Sequence, residues 1–199
     1  LRMPNSETKI SVILTSYNHA QFIRESIESV LNQTFLDFEM IIWDDASTDD
    51  SWEIIQSYRD PRIIAYRNEE NMGGRSISRA IRKGVYGEYI AILHSDDAWE
   101  PSKLEKQVVY LDHNPEIAAV FTHVQVIDEE GQPFTDKNHF YYDVFDQPNR
   151  DRFEWLRHFF YNGNALCHPS LMIRKTCYED INFRNGMNQL PDFNLWIQL

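Results

Sequence analysis

Five short apolar runs, each separated from the next by a segment of helical periodicity or a turn, restrict this chain to one kind of sheet. The runs are Lys9 to Leu14, Phe38 to Trp43, Arg62 to Tyr66, Glu88 to Leu93 and Ile117 to Ile127. Between them, Ala20 to Leu31 puts Phe22, Ile23, Ile27, Val30 and Leu31 on one helical face, and 51–58, 76–84 and 101–112 read as further helices. Strands whose apolar residues are nearly continuous, such as Ile10, Val12, Ile13 and Leu14 in the first run, are those of a sheet buried on both faces. The expectation is an α/β fold whose mostly parallel central sheet is covered by helices on both sides. Ligands of such sheets bind beyond the carboxyl ends of the strands, so the polar residues that follow the strands share one rim. They are Thr15-Ser16-Tyr17-Asn18, Asp44-Asp45 and His94-Ser95-Asp96-Asp97.

After about residue 132 the rhythm changes. Phe134 to Pro148 is irregular and aromatic-rich, 150–161 reads as a helix and 170–173 as a short strand. The expected organisation is a disordered segment 1–8, a ligand-binding α/β half 9–127, and an irregular half 128–199 of the same domain closing the other side of a cleft. The final residues, 193–199, resemble an amphipathic helix at its start, so the native chain is expected to continue. At 199 residues there is length for one full core. Cys167 and Cys177 have no disulfide or metal-ligand spacing and read as buried thiols of a reducing compartment. There is no membrane-length apolar run and no signal-peptide core, so the expected location is cytoplasmic or peripheral at the inner face of a membrane. The Asn32-Gln33-Thr34 sequon is discounted on the same grounds.

A formal net charge of −12 argues against a nucleic-acid partner. It does not exclude an anionic nucleotide, provided a metal ion inverts the local field. The two aspartate pairs on the rim supply the motive, because four acids at neighbouring strand ends repel one another unless a cation intervenes. Ser47 to Asp50 are accounted for as the capping residues of the next helix, whereas Asp44 and Asp45 precede any helix. An EF-hand reading of Asp45, Ser47 and Asp49 fails, because position six is Asp50 and position twelve is Gln56. His94, Asp96 and Asp97 offer hard oxygen donors and an imidazole suited to manganese or magnesium. Asn71-Met72-Gly73-Gly74-Arg75, before a helix, reads equally as a loop cap and as a backbone approach to phosphate. No dinucleotide fingerprint, P-loop, nucleophile elbow or zinc helix is present.

Together, Ser11 to Asn18, Asp44 to Asp49, Asn71-Met72-Gly73, Gly87 to Ile90 and Ser95-Asp96-Asp97 resemble the family 2 glycosyltransferases, inverting enzymes of the GT-A fold that use nucleotide sugars. The likeness is to the spore-coat polysaccharide type and covers roughly residues 9–125, with His168-Pro169-Ser170 and Pro191 to Trp196 resembling acceptor-side segments. The resemblance implies that Thr15 and Tyr17 line a nucleoside pocket and that Asp45 accepts from uracil N3. It implies that Asn18, Asp44, Asn71, Gly74, Arg75, Ser95 and Asp96 complete the nucleotide site. Asp97 would bind Mn2+ or Mg2+ on the diphosphate, and Asp192 would be the general base. The implied partners are a UDP-sugar donor and a glycan or lipid-linked acceptor. Three positions depart from the family pattern. His94 replaces a first Asp, Pro191 replaces a Glu before the base, and Arg79 stands where Asn is common. Two rival readings are a nucleotidyltransferase, which would carry a basic Gly-rich loop after the first strand, and a non-catalytic sugar-nucleotide-binding module.

Overall fold

β1 (Ile10–Ser16) lies inside the sheet, as the nearly continuous apolar residues Ile10, Val12, Ile13 and Leu14 require. The computed structural model describes residues 8–73, 76–179 and 195–199. In chain order, β1 is followed by α1 (Ile23–Leu31), β2 (Phe38–Asp44), α2 (Ser51–Ser57), β3 (Ile63–Arg67), α3 (Ser76–Lys83), β4 (Tyr89–His94) and α4 (Lys103–His113). Then come β5 (Ala119–Val120), α5 (Arg152–Asn162), a 3-10 turn at His168–Ser170, β6 (Met172–Arg174) and α6 (Lys175–Glu179). The strands lie in the order β3-β2-β1-β4-β6-β5. β1 to β4 are mutually parallel, and β6 runs antiparallel to both β4 and β5. The expected mostly parallel sheet is therefore present, with an antiparallel edge.

Helices cover both faces. Val12, Leu14, Met40, Ile42, Ala91 and Leu93 form one core with Ile23 and Ile27 of α1, Ile55 of α2 and Leu104 and Val108 of α4. Ile13, Ile41, Trp43, Ile90 and Ile92 form the other with Ala80 of α3, Phe159 of α5, Tyr178 of α6 and Trp196. The two central strands approach so closely at their start that only glycine fits at position 87, where a Cβ would lie 2.3 Å from the Ser11 nitrogen.

The expected strand 117–127 shrinks to Ala119–Val120, followed by an isolated bridge between Ile127 and Pro133. The reason is its neighbour: β6 has three residues and β5 pairs with two of them, leaving 121–127 no ladder to extend. The short strand expected at 170–173 begins two residues later, because His168–Ser170 forms a 3-10 turn and the Leu171 N–H bonds to the His168 carbonyl. Both cysteines are free and half-buried rather than buried.

Candidate functional site

Strand register levels the carboxyl ends of β1, β2 and β4. Thr15 pairs with both Trp43 and His94, and Ser16 with Asp44. The chain then continues the ladder for one more rung on each side, with Asp45 N donating to the Ser16 carbonyl at 2.8 Å and Ser95 N to the Thr15 carbonyl at 3.1 Å. Thr15, Asp45 and Ser95 are thereby brought side by side on one rim. Thr15 Oγ1 also hydrogen-bonds His94 Nδ1 at 2.9 Å. Tyr17, directly after β1, is 44% exposed.

The first aspartate pair divides its work. Asp44 is fully buried, accepts from Ser47 N and Ser47 Oγ, and is paired with Arg67 Nε at 3.3 Å. Those bonds hold the turn in which Ala46 takes a φ of 64°, a conformation costly for a residue with a Cβ. Asp44 thus shapes the loop from inside and faces no open space. Asp45 accepts at Oδ1 from Asn68 Nδ2 at 2.5 Å and from Met72 N at 2.9 Å, which ties the Asn68–Gly73 loop to the rim. In that loop Asn71 Oδ1 receives Gly73 N, and Gly73 needs its φ of 57° to allow it. Asn18 is likewise engaged, accepting from Thr48 N at 2.7 Å and donating its own N–H to Ser47 Oγ. The N-cap of α2 is Asp50 rather than Ser47, Thr48 or Asp49, and its side chain makes no capping bond; the Asp49 carboxylate beside it receives the N–H groups of Ser51 and Ala20.

The second pair is left with its charge. Asp97 is half-buried, and its carboxyl is pushed up to about 7, first by burial and then by the charge of neighbouring Asp96. Asp96 is exposed, 3.8 Å from His19 Nδ1, and His19 also bonds Ser95 Oγ. The turn itself is fixed by Asp97 N donating to the His94 carbonyl and Ser26 Oγ donating to the Asp97 carbonyl. Among the described residues no three His, Cys, Asp or Glu side chains converge on one point. Two adjacent carboxylates, one of them desolvated, nevertheless suit a hard divalent ion that draws its remaining oxygens from a phosphate ligand and water. Asp192, Gly74 and Arg75 lie outside the described residues.

Sequence reasoning missed what lies beneath β4. The His94 ring meets His168 at 5.2 Å, His168 meets Trp196 at 5.5 Å, and Trp196 meets Phe121 at 4.9 Å, each pair edge to face. Burial, with His94 adding to it, pushes the His168 imidazole down to about 3, so this ring is neutral packing. Next to it the buried Lys103 donates to Gln107 Oε1 at 2.8 Å and lies 3.9 Å over the Trp99 ring. Burial draws its amine down to about 7. Trp99 and Gln107 in turn donate to the carbonyls of Pro169 and Ser170, pinning the 3-10 turn under the rim. Asn68, too, was overlooked, although it stands directly after β3 as Asp45 stands after β2.

The family model for glycosyl transferase family 2 matches residues 11–176. The chain belongs to that family. It is 33% identical over 194 residues to an uncharacterised glycosyltransferase of Methanocaldococcus jannaschii, covering 95% of this chain and 63% of the relative. It is 39% identical over 103 residues to the Escherichia coli UDP-Glc:alpha-D-GlcNAc-diphosphoundecaprenol beta-1,3-glucosyltransferase WfaP, covering 52% of this chain and 41% of the relative. The chain thus spans about half of the length of the relatives it matches. Its fold is that of residues 1–349 of Staphylococcus aureus TarS, whose structure contains UDP-GlcNAc, with a TM-score of 0.71 and 22% identity over 96% of this chain and 54% of the other. The GT-A expectation for the family 2 chain is therefore met.

Proposed function

We propose that this family 2 chain carries the donor site of an inverting glycosyltransferase that moves a sugar from a UDP-sugar to an acceptor hydroxyl, with Mn2+ or Mg2+ on the diphosphate, in the synthesis of a cell-envelope polysaccharide. One observation carries the reading: on a single rim, one aspartate is held by neutral donors while another is desolvated beside a like charge. The first arrangement suits a neutral base, the second a cation. The names of the relatives support the donor class, since WfaP is described as using UDP-Glc and TarS is seen with UDP-GlcNAc.

In this reading Tyr17 stacks on the base and Thr15 lines its pocket with Ser95 and the Asn71 loop. Asp45 accepts the uracil N3–H. Asp44 and Asn18 act at one remove, by holding the loop that presents Asp45. Asp96 faces the ribose or sugar, and Asp97 holds the metal. A divalent ion there would supply Lewis-acid stabilisation of the departing diphosphate. Asp192 takes the proton from the acceptor hydroxyl as it attacks the anomeric carbon in line, and Gly74 and Arg75 reach the phosphates.

Calorimetry with UDP tests the site. Binding should strengthen with Mn2+ in the wild type, and that gain should vanish in Asp97→Ala; binding indifferent to metal in both proteins rejects the metal assignment. Asp192→Asn should keep UDP affinity and lose transfer, so undiminished turnover would remove it from the mechanism. A nucleotidyltransferase is disfavoured because Thr15 to His19 is bonded into the β2–α2 loop and carries no basic residue other than His19.

A further inference from the structure

Asn68 is buried, 6% exposed, and its backbone N–H and both ends of its side-chain amide are hydrogen-bonded. Its backbone N–H donates to the Asp44 carbonyl at 2.9 Å, fixing the residue beside the end of β2. Its Oδ1 receives Trp43 Nε1 at 2.9 Å and Arg79 Nη1 at 2.6 Å. Indole and guanidinium nitrogens only donate, so the amide oxygen must face them and the NH2 must face Asp45. The amide cannot flip. An aspartate at this position would set a carboxylate against a carboxylate, and the 2.5 Å contact from Nδ2 to Asp45 Oδ1 would become repulsive.

The three donors come from different elements. Trp43 belongs to β2, Arg79 to α3 and Asn68 to the segment after β3. Asp45 Oδ1 takes a second donor, Met72 N at 2.9 Å, and two donors on one oxygen define the plane of the carboxylate. Asp45 Oδ2 receives no hydrogen bond from the described residues, so it is the oxygen available to a ligand. Arg79, which departs from the family pattern, has its place here as the outer anchor of this chain of bonds.

We propose that Asn68, braced by Arg79 and Trp43, is the positioning residue that aims Asp45 at the nucleobase and so sets selectivity for uracil over cytosine. The inference rests on the reading of Asp45 as the base acceptor. Uracil presents an N3–H to a carboxylate placed opposite it. Cytosine presents a lone pair there, with its only nearby donor on the adjacent exocyclic amino group. A carboxylate free to turn can reach that amino group; one locked by Asn68 cannot. Loss of the brace should therefore relax the choice of base as well as weaken binding.

The experiment is calorimetric titration of UDP and CDP, with Mn2+ present, into the wild type, Asp45→Asn, Asn68→Leu, Arg79→Met and Arg79→Lys. The wild type should prefer UDP, and Asp45→Asn should abolish the preference. Asn68→Leu should lower UDP affinity about tenfold, the value of one hydrogen bond to a charged group, and bring the UDP to CDP ratio towards one. Arg79→Met should do the same more weakly, and Arg79→Lys, which can still donate to Oδ1, should retain most of the ratio. Arg79 is half-buried at the outside of the network, so its variants remain informative if Asn68→Leu fails to fold. If Asp45→Asn abolishes the preference while Asn68→Leu and Arg79→Met keep the wild-type ratio, the positioning role is refuted and the site reading stands. If Asp45→Asn leaves the preference intact, both fall.

Discussion

The metal-free protein should be stabilised by removing a negative charge at position 97, with a pH dependence that identifies the cause. A carboxyl raised from 3.8 to about 7 binds its proton more tightly in the folded chain than in the unfolded one. Its contribution is therefore fully present below the unfolded value and is lost as pH rises through the folded one. At roughly 1.4 kcal/mol per pKa unit the whole shift corresponds to about 4 kcal/mol. The group is only half-buried, and solvent screening reduces that to about 1–2 kcal/mol. Most of the loss falls between about pH 4 and 7, and at about 2–4 °C per kcal/mol for a chain of this size it is measurable. The assay is thermal unfolding in the presence of a chelator, comparing wild type with Asp97→Asn at several pH values. The wild type should lose about 1 kcal/mol relative to the variant across that interval and be the less stable protein at pH 8.5. Added Mn2+ and UDP should reverse the order, because only the wild type gains a ligand for its charge. Parallel melting curves at every pH, or a variant less stable than wild type at pH 8.5 without metal, would refute the argument from burial and the Asp96 charge.

Two further predictions concern the scaffold that levels the rim. Gly87→Ala places a Cβ 2.3 Å from Ser11 N and 2.5 Å from Ile10 C, both backbone atoms, so β1 and β4 must separate at their start. The cost should be about 3 kcal/mol or more in urea unfolding, and a loss under about 1 kcal/mol would show that the strands can shift freely. Ile27→Ala empties a fully buried position between α1 and the sheet and should cost about 2–4 kcal/mol by the same measurement, with no repair by UDP beyond its ordinary binding energy.

What could be read from the sequence was whatever depends on periodicity and on position relative to a strand end. The runs around Val12, Ile41 and Ile92 could be buried only between two helical layers, and that placed Thr15, Asp45 and Ser95 on one edge before any coordinates. The failures share a cause as well. The strand expected over 117–127 was judged by its own composition, whereas its length is decided by β6, a three-residue partner some fifty positions away. Nothing in the sequence singles out Lys103; only the fold reveals that it is buried against Trp99 and Gln107. Composition records what a residue can do, and contacts between distant segments decide whether it does so.

The two aspartate pairs illustrate the point at the site itself. In the sequence they are alike, each following an apolar strand, and their mutual repulsion suggested one shared cation. The fold treats them oppositely. Arg67 and Ser47 satisfy Asp44 from within, and Asn68 and Met72 hold Asp45, so the first pair is complete without any ion. Asp97 receives no such partner among the described residues and is desolvated beside Asp96, which leaves its charge unfavourable. The rim is therefore asymmetric by construction: a rigid, already satisfied end suited to recognising a base, and an electrostatically unfinished end suited to a metal diphosphate. Under the proposed reading such a division would make metal affinity depend on the ligand, because an ion held by the single carboxylate of Asp97 would need phosphate oxygens to complete its shell.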